Sequence, residues 1–107
     1  MVDRKVAKLI RQYLEAIKSK GINLNKAILY GSYAKNEARR GSDIDLMLVS
    51  SQFDESDEQY MGIIWSTTRL SNFLIEPVAI GLKRYETDNI SPLIQVAKRE
   101  GVEIKLD

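Results

Sequence analysis

The sequence predicts an α/β domain, a sheet covered by helices, on three observations. Segments with apolar residues at helical spacing alternate with four short apolar runs, in the order α-β-α-β-α-β-α-β. One of those runs, Asp43 to Val49, is apolar on both faces after its first residues, which is the pattern of a strand central in a covered sheet. A length of 107 residues, 44% of them hydrophobic and 29% charged, suits one domain around one core. There is no repeat, low-complexity tract or linker, so residues 1–107 are expected to form a single domain.

Each element has a local reason. Asp3 can cap a helix in which Val6, Leu9, Ile10, Tyr13, Leu14 and Ile17 recur at helical spacing, with Gly21 at its end. Lys26 to Tyr30 is a short apolar run that meets Gly31-Ser32, a buried strand entering a turn. Ser32 to about Glu37 is expected to be briefly helical. The run from Asp43 to Val49 is the second strand, and Asp54 or a neighbour is expected to open a long helix reaching about Leu70. Phe73 to Leu82 reads as the third strand. Ser91-Pro92 sets a capping residue before proline at a first helical position, and that helix stops at Gly101. Val102 to Leu106 closes the chain as a fourth strand.

Composition excludes several chemistries. The chain has no cysteine and no histidine, so thiol nucleophiles, disulfides, thiolate-bound zinc, imidazole bases and histidine-held metals are absent. What remains is carboxylates, hydroxyls, amides and cations, and any bound metal should be a hard ion on oxygen ligands. Sixteen basic residues against fifteen acidic ones give a net charge of +1, so no overall field favours nucleic acid or a membrane. No long apolar run and no signal-peptide pattern occur, and a cytoplasmic protein is the expectation.

The informative stretch is Tyr30 to Val49, where Gly31-Ser32 is followed, ten residues later, by Asp43-Ile44-Asp45-Leu46. Side chains alternate along a strand, so Asp43 and Asp45 share a face roughly 6–7 Å apart. Carboxylates that close repel unless a cation lies between them, and Mg²⁺ prefers one or two carboxylates together with phosphate oxygens. Ile44, Leu46 and Leu48 are expected to fill the opposite face and anchor the pair. Gly31 lets the backbone approach a ligand, while Ser32 offers a hydroxyl and an amide at the start of a turn, a natural phosphate cradle. Taken singly, a Gly-Ser turn or an Asp-x-Asp pair is most often structural. Together they are the parts that metal-dependent nucleotidyl transfer requires.

The sixteen residues from Gly31 to Leu46, GSYAKNEARRGSDIDL, resemble the signature of the DNA polymerase β-like nucleotidyltransferase superfamily. The small size resembles its minimal nucleotidyltransferases, the antitoxins of HEPN–MNT toxin–antitoxin modules. The resemblance implies an α/β (α+β) fold with a mixed central sheet of about four strands. It implies that Gly31 and Ser32 hold nucleotide phosphates and that Asp43 and Asp45 bind Mg²⁺. Asn36 stands where the family often has a second glycine, and asparagine tolerates the left-handed conformation such a turn needs. The family also uses a third acid on the following strand. Glu76 is the one acid inside the third apolar run and is assigned that metal-binding and catalytic role, against the plain reading of an edge-strand charge beside Pro77. Glu86 and Asp88 lie beyond that strand and are weaker candidates. Arg39, Arg40 and Lys35 are candidate triphosphate partners, with Arg39 preferred; Ser42 can cap the loop or touch phosphate, and Tyr33 can lie against a base.

The resemblance further implies transfer of AMP from ATP to a hydroxyl, a tyrosine of a cognate HEPN toxin, in the manner of a type VII-like antitoxin. One alternative is a catalytically weak nucleotide-binding antitoxin that neutralises the toxin by covering it. Another is a small-molecule, antibiotic-type nucleotidyltransferase, disfavoured because larger relatives carry an extra acceptor-binding domain. The segment around Tyr60, Met61, Ile63, Ile64 and Trp65, continuing to Leu70, Phe73 and Leu74, is apolar on more than one face and is a candidate surface for a partner or a second copy.

Overall fold

A computed structural model describes residues 3–39 and 41–106. The first helix, α1, spans Arg4–Ser19. Asp3 caps it by accepting from the amides of Lys5 and Val6, and Val6, Ile10, Tyr13 and Ile17 form its buried stripe. Strand β1 (Lys26–Tyr30) and strand β2 (Ile44–Ser50) follow, then α2 (Glu58–Ser66), β3 (Ile75–Gly81), α3 (Leu82–Thr87), α4 (Pro92–Glu100) and β4 (Val102–Glu103). The four strands form one mixed sheet in the order β3-β2-β1-β4, in which β2 and β3 run parallel and the other neighbours antiparallel.

The doubly apolar β2 lies inside the sheet, and its alternation sorts the core into two layers. Leu29, Ile44, Leu46, Leu48 and Ile75 face α1 and α2, packing with Ile10, Tyr13 and Ile64. Ile28, Met47, Val49 and Ile80 face the other way, onto Ile94 and Ala97 of α4. Gly101 lets α4 end close against β1, since a methyl group there would overlap Ala97 and Ile28.

Four expectations need correction. The segment after Ser32 is a run of turns with no helix, because the Gly31 carbonyl accepts from both Ala34 and Lys35 and the Ser32 carbonyl accepts from Glu37. The long helix from Asp54 is instead a 3-10 turn at Ser51–Phe53, the nine-residue α2, and a second 3-10 turn at Thr67–Ser71. Asp54 caps a different helix: its carboxylate accepts from the Lys83 amide at 3.0 Å and so closes the start of α3. At the other end, the hydroxyls of Ser66 and Thr68 bond to the carbonyls of Ile63 and Trp65, competing with the helical ladder as such side chains do. Helix α3 itself is absent from the sequence reading, which ran its first residue into β3. Finally, β2 is shifted by one residue, so that Asp43 precedes it, and two strands are shorter than expected: β3 begins at Ile75, and β4 is only two residues long.

Candidate nucleotide and metal site

The strand registers build the site. Asp45 is opposite Tyr30 of β1 on one side and Glu76 of β3 on the other, so three side chains form a row across one sheet face. It is the face that α4 covers further along. Asp43 stands exposed one residue before β2, while Asp45 and Glu76 are half-buried. Burial first, then the charges of Asp43 and Glu76, hold the Asp45 carboxyl above its ordinary range. Burial, followed by Asp45 and Glu76, pushes the Tyr30 phenol up to about 12. These shifts show that the three acids share one field. A hard divalent cation would relieve that field, and Asp43, Asp45 and Glu76 would be the oxygen donors for it. Among the described residues, however, no three acids stand together closely enough to hold a metal ion.

Gly31 explains itself in this setting. Its φ is +76°, and a methyl group on it would overlap the Asp45 carboxylate, so glycine is required twice over. The backbone turns there directly beside the acid. Among the described residues, the amides of Ser32 and Tyr33 donate to no acceptor, which leaves two donors at the mouth of the turn. Asn36 adopts φ +60°, a left-handed conformation that asparagine tolerates.

The loop cations and hydroxyl divide their tasks. Lys35 pairs with Glu100 of α4 at 3.2 Å. Ser42 caps the loop: its hydroxyl accepts from the Arg39 amide at 2.8 Å, and its own amide donates to the Arg39 carbonyl at 2.9 Å. Arg39 is exposed and pairs with no acid among the described residues, and Arg40 lies outside them. Tyr33 packs partly against the core. Asp88 is structural: the amides of Ser91 and Ile90 that donate to it, first, and its pairing with Arg84, last, hold its carboxyl below the usual range. Glu86 is exposed on α3. Tyr30 is the site residue that sequence reasoning missed; its position directly before Gly31 was the available signal.

Residues 10–96 match the nucleotidyltransferase domain family. The fold is similar to the crystal structure of a Sulfolobus solfataricus protein assigned as a nucleotidyltransferase, with a TM-score of 0.64 over 92% of this chain and 78% of that one at 18% identity. A search among curated proteins finds no match. With four-fifths of its length under that family's pattern, and its glycine turn and acids set side by side on the sheet, the chain belongs to the nucleotidyltransferase domain family.

Proposed function

We propose that the protein transfers AMP from ATP to a hydroxyl, that of a tyrosine on a cognate HEPN-domain toxin, and so acts as an antitoxin. The observation that carries the transfer chemistry is the juxtaposition of Gly31 with Asp45, which brings free amides and acids to the same end of the sheet. The amides of Ser32 and Tyr33 would take the leaving phosphates, and Arg39 is the cation positioned to join them. Asp43 and Asp45, with Glu76, would hold Mg²⁺, which when bound neutralises charge on the phosphates. The acceptor oxygen bonds to the α-phosphorus as the bond to pyrophosphate breaks, and the hydroxyl proton passes to a carboxylate of the row, Glu76 being the assigned base. The sheet fixes Asp45 and Glu76 on adjacent strands, with Asp43 one residue before β2, which suits an in-line displacement.

The acceptor and the antitoxin role rest on the resemblance of the Gly31–Leu46 signature and on the chain's size. A second reading, neutralisation by binding with little catalysis, draws on the open arrangement of the three acids. Incubation with labelled ATP, MgCl₂ and a HEPN-domain protein separates the two. Label should pass to the HEPN protein, and an Asp43→Asn, Asp45→Asn double variant should transfer none. Equal transfer by wild type and variant, or stable complex formation without label, would sink the enzymatic reading.

A further inference from the structure

Tyr30 combines a buried ring with an unpartnered hydroxyl. The residue is only 7% exposed and belongs to the core layer of Ile28, Met47, Val49 and Ile80 that α4 covers. Among the described residues its hydroxyl makes no hydrogen bond. Tyr13 is the contrast: it is buried as well, and its hydroxyl donates to the Ile64 carbonyl. Every fully buried side-chain oxygen and nitrogen of the described residues has a partner, so the Tyr30 oxygen must reach the surface. A phenol set in a core usually finds an acceptor. One that is anchored by its ring and ends in the open without an acceptor is a donor held ready for a ligand.

The strand register says where that oxygen surfaces. Tyr30 is directly opposite Asp45, which is level with Glu76. Burial, and then the charges of Asp45 and Glu76, act on the phenol, so its tip lies within reach of the acid row. In the order β3-β2-β1, Tyr30 and Glu76 stand on opposite sides of Asp45. Tyr30 is on the side of the Gly31 turn, the next residue in the chain, where the Ser32 and Tyr33 amides lack acceptors among the described residues. A neutral phenol carries one donor hydrogen, which makes three neutral donors around one turn. Lys35 is already paired with Glu100. Phosphate oxygens, which only accept, are the ligand chemistry that such a set of donors takes.

We propose that the Tyr30 hydroxyl is a third phosphate donor beside the Ser32 and Tyr33 amides, contacting the leaving phosphates of the nucleoside triphosphate. This rests on the transfer reading above, and its test can fail independently. Tyr30→Phe keeps the ring and removes only the hydroxyl. No bond within the protein is lost, so the midpoint of urea unfolding should stay put or rise. By isothermal titration at saturating MgCl₂, the Kd for ATP should rise about tenfold, the loss of one hydrogen bond to a charged oxygen. The Kd for AMP, which has no leaving phosphates, should not change; if neither protein binds AMP, the loss seen with ATP falls on the outer phosphates and supports the contact. A lowered midpoint gives the hydroxyl a structural partner and overturns the proposal. An equal loss with AMP makes Tyr30 a contact of the nucleoside or its first phosphate, and unchanged ATP affinity leaves it no part in binding. Either result overturns the proposal and leaves the transfer reading standing, whereas a wild type that binds no ATP overturns both.

Discussion

Replacing Gly31 with alanine should separate what the backbone demands at this position from what the acid demands. At φ +76° an alanine pays the left-handed penalty of about 1–2 kcal/mol, offset by about 0.4–1 kcal/mol because alanine restricts the unfolded chain more than glycine does. The added methyl would also overlap the Asp45 carboxylate, with the acid's own carbon 3.1 Å away, so Asp45 must rotate out of the row. The backbone part alone is then about 1 kcal/mol, or about 4–5 °C in melting temperature for a domain of this size. The displaced carboxylate adds to that and removes Asp45 from the metal position proposed for it. Four proteins, wild type, Gly31→Ala, Asp45→Ala and the double variant, unfolded in urea, give a cycle that isolates the second part. Gly31→Ala should cost distinctly less in the Asp45→Ala background. If it costs the same in both, the carboxylate is not what excludes a side chain at residue 31. If it costs nothing in either, the left-handed argument is wrong as well.

Two further predictions follow from the same structure. Because the Asp45 carboxyl is held above its ordinary value, the stability tied to its proton is complete below the unfolded value of about 3.9 and is lost as pH rises through the folded one. Metal-free Asp45→Asn should therefore melt a few degrees above wild type at neutral pH, with no gain near pH 3, and only wild type should be stabilised strongly by MgCl₂; calorimetry across that range checks both. Tyr13 is fully buried and donates its hydroxyl to the Ile64 carbonyl at 2.8 Å, joining α1 to α2. Tyr13→Phe should cost about 1 kcal/mol, near 4–5 °C in melting temperature. Burial pushes that phenol above its usual value, so the deficit should stay constant through the neutral range.

What was legible in the sequence was what near neighbours decide. Asp3 before an apolar helical stripe, Gly31 after an apolar run, and two acids ahead of Leu46 each announce themselves within a few residues; α1 and β1 stand where they were expected, and Asp45 lies on β2 while Asp43 falls one residue before it. What escaped depends on partners distant in the chain. Asp54 caps α3 across 29 residues, and nothing beside Asp54 tells its carboxylate to reach Lys83 instead of starting a helix of its own. The turns after Ser32 escaped because the Gly31 carbonyl collects two amides in a backbone shape that composition does not specify. Tyr30 escaped for a third reason: its membership of the row is a matter of strand register, which three separate segments settle together.

Register also dissolves a choice that the sequence posed about Glu76. An edge-strand charge beside Pro77 and a member of the acid row were treated as rivals, yet β3 is an edge strand and Glu76 is level with Asp45. The two features need each other. Pro77 has no amide to offer, so on its outer side β3 resists pairing with a further strand at that residue. A fifth strand there would cover the outer side of β3 beside Glu76. Burying Glu76 between two strands would also raise the cost of its charge beyond what its neighbours, themselves acids, can repay. A proline at the edge thus leaves the outer side of β3 open beside Glu76 while the parallel ladder to β2 fixes its height against Asp45. A chain with Pro77 replaced by a strand-forming residue such as valine would keep that ladder but lose the protection, and the open side of the site is where its self-association would begin.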